Sequence, residues 1–101
     1  MEPIWVIERS FWVDDESIFK RYLHDDARMI FPGMGILDRI SVLENLQGIP
    51  RWTEVEMNDC AAVEAGDVIF LAYLAQARRT DVQRYRAYCG STYIRKENNG
   101  S

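Results

Sequence analysis

The chain has little of what usually staples a small protein. Its 101 residues include two cysteines, Cys60 and Cys89, and one histidine, His24. Two cysteines build no disulfide framework, and these two stand at no zinc-ligand spacing. A single histidine excludes a His-rich metal site, so neither metal nor cofactor is expected. No apolar run approaches the roughly 20 residues that span a bilayer. No basic start followed by an apolar stretch marks a signal peptide. These absences point to a cytoplasmic protein with no membrane role and with reduced, buried thiols. Basic residues number 12 against 16 acidic ones, for a net charge of −4. That balance disfavours nucleic-acid binding, which usually needs a basic face, although Arg78, Arg79, Arg84 and Arg86 cluster in sequence. Gly-rich phosphate loops, Ser-His-Asp sets and Cys-His pairs are missing. Repeats, low-complexity tracts and linkers are missing too.

What remains is an ordinary globular composition, 48% hydrophobic and 28% charged. The length suits one domain over residues 1–101. A chain of this size can bury roughly 60–70% of its unfolded surface, enough for a core without staples.

The first half reads as helical. Pro3 suits a first helical position, and Ile4, Ile7, Glu8, Phe11 and Trp12 follow at helical spacing, with Trp5 beside them. Asp14 or Asp15 can cap a second helix whose apolar stripe is Ile18, Phe19, Tyr22 and Leu23. Glu16 in its first turn complements the helix dipole. Asp25-Asp26 ends it. Arg28 to Phe31 reads as a strand stopped by Pro32-Gly33, and Gly35 to Asp38 as a short extended return. Ser41 is a candidate cap for a third helix carrying Val42, Leu43 and Leu46, with Gly48 and Pro50 beyond its end.

From Thr53 to Ile94 the period changes to that of three long strands. Two-residue turns at Ala65-Gly66 and Thr80-Asp81 set an expected register. Val63 then opposes Val68, Asp59 opposes Ala72 and Met57 opposes Leu74; Ala72 opposes Cys89, Leu74 opposes Ala87 and Gln76 opposes Tyr85. One face would carry Val55, Met57, Asp59, Ala61, Val63, Val68, Phe70, Ala72, Leu74, Gln76, Tyr85, Ala87, Cys89, Ser91 and Tyr93, turned toward the helices. The other would carry Glu54, Glu56 and Asn58 together with Ile69, Leu71, Tyr73, Tyr88, Thr92 and Ile94. So many apolar residues on an outer face mark an interface or a face covered by helices. A bulge would overturn the assignment beyond it, because a one-residue slip moves every side chain to the opposite face.

Two helices, a strand reached through Tyr22-Leu23-His24-Asp25-Asp26-Ala27, the segment Met29-Ile30-Phe31-Pro32-Gly33 with Gly35-Ile36-Leu37, a third helix, Arg51-Trp52, the strand Val68 to Ala77, and Tyr85-Arg86-Ala87 leading to Ser91-Thr92-Tyr93 follow one another in this order. The arrangement resembles the nuclear transport factor 2-like, or SnoaL-like, superfamily over nearly the whole chain. The resemblance implies an α+β, cone-shaped, cystatin-like domain, with N-terminal helices packed in a curved, mainly antiparallel sheet around a mostly apolar pocket. It also implies a homodimer through the outer sheet face. Members of that superfamily usually add a last strand after the Ser-Thr-Tyr strand. Here Asn99-Gly100 supplies hairpin turn chemistry and no further strand follows, which leaves a sheet edge in need of cover.

Fold does not fix function. The isomerases of the superfamily use an aspartate base and an oxyanion hole of a tyrosine and a neutral carboxylic acid. The matching positions are Phe31, which takes no proton, and Ile7, which donates no hydrogen bond. A His-Asp dehydratase dyad would need His24, which reads instead as a solvated helix-capping residue. The remaining candidate catalytic residue is Asp59, expected mid-strand on the apolar face, where burial would tune its carboxyl. Its alternative is a bulge that turns it outward, or a hydrogen bond to a backbone amide. Trp12, Phe31, Met57, Asp59, Gln76, Tyr85, Ser91 and Tyr93 are the candidate ligand-binding residues, a few polar groups in an apolar setting. Ile69, Leu71, Tyr73, Tyr88, Thr92 and Ile94 are the candidate dimer interface. Three functions are compatible with these residues: non-covalent binding of a small apolar molecule, a cofactor-free isomerase, cyclase or hydro-lyase using Asp59, or a ligand-free interaction module.

Overall fold

In the computed structural model, helices α1 (Pro3–Val13), α2 (Ser17–Tyr22) and α3 (Arg39–Leu46) alternate with strands β1 (Arg28–Phe31) and β2 (Gly35–Asp38), and β3 (Glu54–Ala65), β4 (Val68–Arg79) and β5 (Val82–Ile94) follow. The structure describes residues 3–79 and 82–95. The turn expected at Asn98-Asn99-Gly100 lies outside them. The architecture is α+β, helices first and a three-stranded antiparallel sheet after them. It divides into two compact units, residues 1–53 and 54–101.

In the first unit the caps are local. Pro3 opens α1, as its fixed φ favours. At the start of α2 the Asp15 carboxylate accepts hydrogen bonds from the Ser17 backbone N–H at 2.9 Å and from the Ser17 hydroxyl. Its pKa is lowered, first by the Ser17 hydroxyl and then by the Ser17 amide. At α3 the cap is Asp38 rather than Ser41: Asp38 accepts from the Ser41 N–H at 2.9 Å. That bond is the main reason the Asp38 pKa is lowered. The end of α2 differs from expectation as well. His24 is exposed and its Nδ1 accepts from the Asp26 N–H at 3.0 Å, making a turn. The cation at the helix C-terminus is Arg39, which donates to the Leu23 carbonyl at 3.2 Å and the Lys20 carbonyl at 3.1 Å. A cation there answers both the orphan carbonyls and the dipole.

The β1–β2 hairpin alternates as a half-buried ribbon should. Met29 pairs with Leu37 and Phe31 with Gly35, while Ile30 pairs with Ile36 on the other side. Met29, Phe31 and Leu37 pack with Phe11, Ile18, Leu23 and Leu43 around the buried Phe19, Val42 and Leu46. Phe11 meets Phe19 edge to face at 4.9 Å between centroids, a favoured geometry for rings of this polarity. Ile30 and Ile36 stay exposed. The unit is closed by Arg51, which donates to the Phe11 carbonyl and to the Asp14 carbonyl (2.9 Å), with its guanidinium 5.3 Å from the Phe19 ring centroid.

The second unit is the sheet β3–β4–β5, and its register corrects the expected one twice. The first turn lies at Gly66-Asp67, since Ala65 pairs with Val68. Gly66, at φ +59°, fills the first loop position, which in a two-residue hairpin favours glycine. Ala61, Val63 and Ala65 therefore still share a face with Ala72, Phe70 and Val68. A bulge between Asn58 and Ala61 then reverses the pairing, and Met57 faces Ala75 while Val55 faces Ala77. In the second hairpin Arg79 pairs with Val82 as expected. A shift between Ala77 and Arg79 puts Tyr85 against Ala77, Cys89 against Tyr73 and Ser91 against Leu71. Each slip of one residue exchanges the two faces from that point on.

Candidate functional site

One face of the sheet is buried at Val55, Leu71, Tyr73, Ala75 and Ala77 and exposed at Ala62 and Glu64; the other is mostly open, with Leu74 buried on it. On the buried face the register sets cross-strand rows: Val55, Ala77 and Tyr85; Met57, Ala75 and Ala87; Tyr73 and Cys89; Ala62, Leu71 and Ser91; Glu64, Ile69 and Tyr93. Opposed Cβ atoms in such rows lie about 4.5–5.5 Å apart. Ala75, Ala77 and Ala87 thus form a floor of small side chains, with Met57, Tyr73 and Tyr85 standing around it. Leu71, Tyr73, Ala75 and Ala77 are buried, while Met57, Tyr85, Ala87, Cys89, Ser91 and Tyr93 keep part of their surface open. Hydroxyls of Tyr73, Tyr85, Ser91 and Tyr93, each both donor and acceptor, punctuate this face, and Glu64 adds a charge at its far end. The Cys89 thiol, a weak donor, lies 3.7 Å from the Ala87 carbonyl oxygen.

Met57, Tyr85, Ser91 and Tyr93 therefore share one face, with Met57 and Tyr85 at one end of it and Ser91 and Tyr93 at the other. The other expected residues do not share it. Asp59 is exposed and sits in the bulge at φ +54°, the left-handed region that aspartate tolerates better than most residues. The burial on which its catalytic role depended is not found. Gln76 falls on the exposed face, between Glu56 and Arg86. Phe31 packs into the helical core of the first unit. Trp12 belongs to that unit too. Its ring lies 6.3 Å from that of Trp52, and its carbonyl accepts from the Trp52 N–H at 3.3 Å.

The expected interface set splits in the same way. Ile69, Leu71 and Tyr73 lie on the buried face, with Leu71 fully enclosed and Tyr73 only 3% exposed. Tyr88, Thr92 and Ile94 lie on the exposed face, where Val63 and Phe70 join them.

One residue was overlooked. Glu8, in the middle of α1, is 4% exposed, the buried charged side chain among the described residues. Its signal is its position in the apolar stripe between Ile4, Ile7, Phe11 and Trp12, where a carboxylate is costly to bury unless it is paired or hydrogen-bonded. The first unit also carries an open groove of about 420 Å³ lined by Asp15, Glu16, Ser17, Lys20, Leu46, Gly48, Ile49 and Arg51. Asp15 and Arg51 there are engaged in the caps described above, and the charged lining is unlike an apolar ligand pocket. Among the described residues no three His, Cys, Asp or Glu side chains converge as metal ligands. No helix among them is long and apolar enough to cross a membrane.

No family model, no curated protein and no solved structure matches this chain.

Proposed function

We propose that the chain is a nuclear transport factor 2-like scaffold that binds a small apolar or aromatic molecule without transforming it. The element order supports the scaffold: two helices, a hairpin, a third helix and three long antiparallel strands. The observation that carries the binding reading is the alanine floor of Ala75, Ala77 and Ala87 with Met57, Tyr73 and Tyr85 around it. Small side chains beneath large ones give an apolar ring somewhere to lie, and the hydroxyls orient its polar edge. Ala75 and Ala77 are fully buried and Ala87 is half-buried, so a ligand would reach this floor from the side of Ala87, and enlarging that residue blocks it. Titration with a neutral fluorescent aromatic dye tests this. Ala87→Leu and Met57→Trp are both expected to abolish dye binding, and Tyr85→Phe to weaken it by about 1 kcal/mol. Affinity unchanged in the first two variants rules this face out.

The enzymatic reading, a cofactor-free isomerase, cyclase or hydro-lyase, loses its buried base with the exposure of Asp59. The two readings part on the fate of a bound ligand. Binding alone returns it chemically unchanged by NMR; catalysis gives a new species, an isomer of equal mass included.

A further inference from the structure

The two outer strands of the sheet differ at their open edges. Along β3, Glu54, Glu56, Asp59 and Glu64 are exposed, and the bulge between Asn58 and Ala61 interrupts the ladder. Charges and a bulge discourage an edge from pairing with another strand. From Tyr85 to Ile94, β5 keeps one unbroken register with β4, lacks proline and holds a single charge, Arg86. Among the described residues no strand pairs with its outer side. One hydrogen bond shows which backbone groups face that side. The Arg95 N–H donates to the Asp67 carbonyl at 2.7 Å. Bonds in an antiparallel ladder fall on alternate residues, so the odd-numbered residues of this stretch bond toward β4. Arg86, Tyr88, Gly90, Thr92 and Ile94 turn their N–H and C=O groups outward.

We propose that this edge pairs with β5 of a second copy, antiparallel, about a two-fold axis through Cys89, so that one sheet runs across both copies. Outward-facing residues then oppose one another and exchange hydrogen bonds. Arg86 faces the partner's Thr92, which keeps the Arg86 side chains of the two copies apart. Tyr88 faces the partner's Gly90. Tyr88 is 76% exposed, and at Gly90 the Phe70 ring, 43% exposed, lies where an added Cβ would come within 3.1 Å of it. A tyrosine set opposite a glycine covers the gap in the ladder, and Tyr88 comes beside the partner's Phe70. On the other face Tyr85 meets the partner's Tyr93, Ala87 the partner's Ser91, and Cys89 the partner's Cys89. Aromatic cross-strand pairs are among the stabilising ones. Moving the axis to Tyr88 sets Tyr85 against the partner's Ser91 and loses both tyrosine pairs. Moving it to Gly90 sets Tyr85 against the partner's Arg95 and loses them as well. The order of side chains along β5 thus selects one register.

Sedimentation velocity and disulfide trapping test this. The unaltered chain is expected to be a concentration-dependent dimer, and Thr92→Pro to weaken it by about tenfold or more. The Thr92 N–H points away from β4, so proline there leaves the ladder within the sheet intact, and the circular dichroism spectrum should be unchanged. Trapping reads the register on a Cys60→Ser background, with copper phenanthroline as oxidant. Cys89 should link the two copies, because opposed Cα atoms of a non-hydrogen-bonded pair lie about 4.5 Å apart, within disulfide reach. With Cys89→Ser added, Tyr85→Cys and Tyr93→Cys should each stay unlinked alone and link when mixed. A monomeric unaltered chain, a dimer indifferent to Thr92→Pro, or a mixture that does not link overturns the proposal, as does Tyr85→Cys linking to itself. If Thr92→Pro fails to fold, the trapping alone decides.

Discussion

In residues 3–53 the second and third helices each start on a side chain that satisfies a backbone group two or three positions away. In residues 54–95 the facing of every side chain depends on partners across a hairpin. Asp15 serves Ser17 and Asp38 serves Ser41. Such bonds are written into short segments and survive small errors elsewhere. Val55, by contrast, faces Ala77 only because one residue is looped out between Asn58 and Ala61. Local chemistry is read locally, and a period-2 pattern is only as good as its last uninterrupted step.

The sharpest way to break this comparison uses two adjacent residues. Leu71 is fully buried and Phe70 is 43% exposed. Leu71→Ala is expected to cost about 2–5 kcal/mol in urea unfolding, and Phe70→Ala only about 1 kcal/mol or less. The register expected without bulges demands the reverse order, so equal or inverted costs would return the sheet to it. A smaller effect probes the bulge itself. Asp59 holds a left-handed backbone conformation. Asp59→Val, stiff at Cβ, should destabilise by about 1–2 kcal/mol, whereas Asp59→Gly should change stability by no more than about 0.5 kcal/mol. Equal costs for both would place the strain elsewhere.

The weakest effect belongs to the helical unit. The pKa values of Asp15 and Asp38 are lowered in the fold, first by the Ser17 hydroxyl and by the Ser41 amide respectively. Groups lowered on folding stabilise the fold fully above the ordinary aspartate value of about 3.9. That stabilisation fades as pH falls through the lowered values. Melting temperatures of Asp15→Asn and Asp38→Asn should therefore fall below that of the unaltered chain at neutral pH and converge with it in acid. A gap that persists at low pH would show that packing, and not the charged caps, separates them.

The helices, the hairpin, the third helix and the strand limits were legible because propensity, capping residues and Pro-Gly breaks all act over a few positions. The pairing of Arg79 with Val82 was legible for the same reason. The shift between Ala77 and Arg79 was not, since a looped-out residue inside an alternating run keeps the composition of a strand. The bulge at Asp59 stood among the alternatives and is found. The available hint was Asp59, a residue at ease with positive φ in the middle of β3. Of the expected site, Met57, Tyr85, Ser91 and Tyr93 kept company, because odd positions of β5 and of β3 before the bulge share a face after two compensating slips. Gln76 and the trio Ile69, Leu71 and Tyr73 changed sides because β4 lies between those slips. Glu8 stood in plain view within an apolar stripe, and its spacing alone was enough to mark it.

The bulge at Asp59 has a consequence for how this chain tolerates mutation. Remove one of the two residues between Asn58 and Ala61 and the ladder closes without a spare: Asn58 still opposes Leu74, Ala61 still opposes Ala72, and the residue that remains opposes Tyr73. Glu54, Glu56 and Asn58 keep their face, and so do Val55 and Met57. The strand thus carries one residue more than its pairing needs, and a chain lacking Asp59 should preserve the fold.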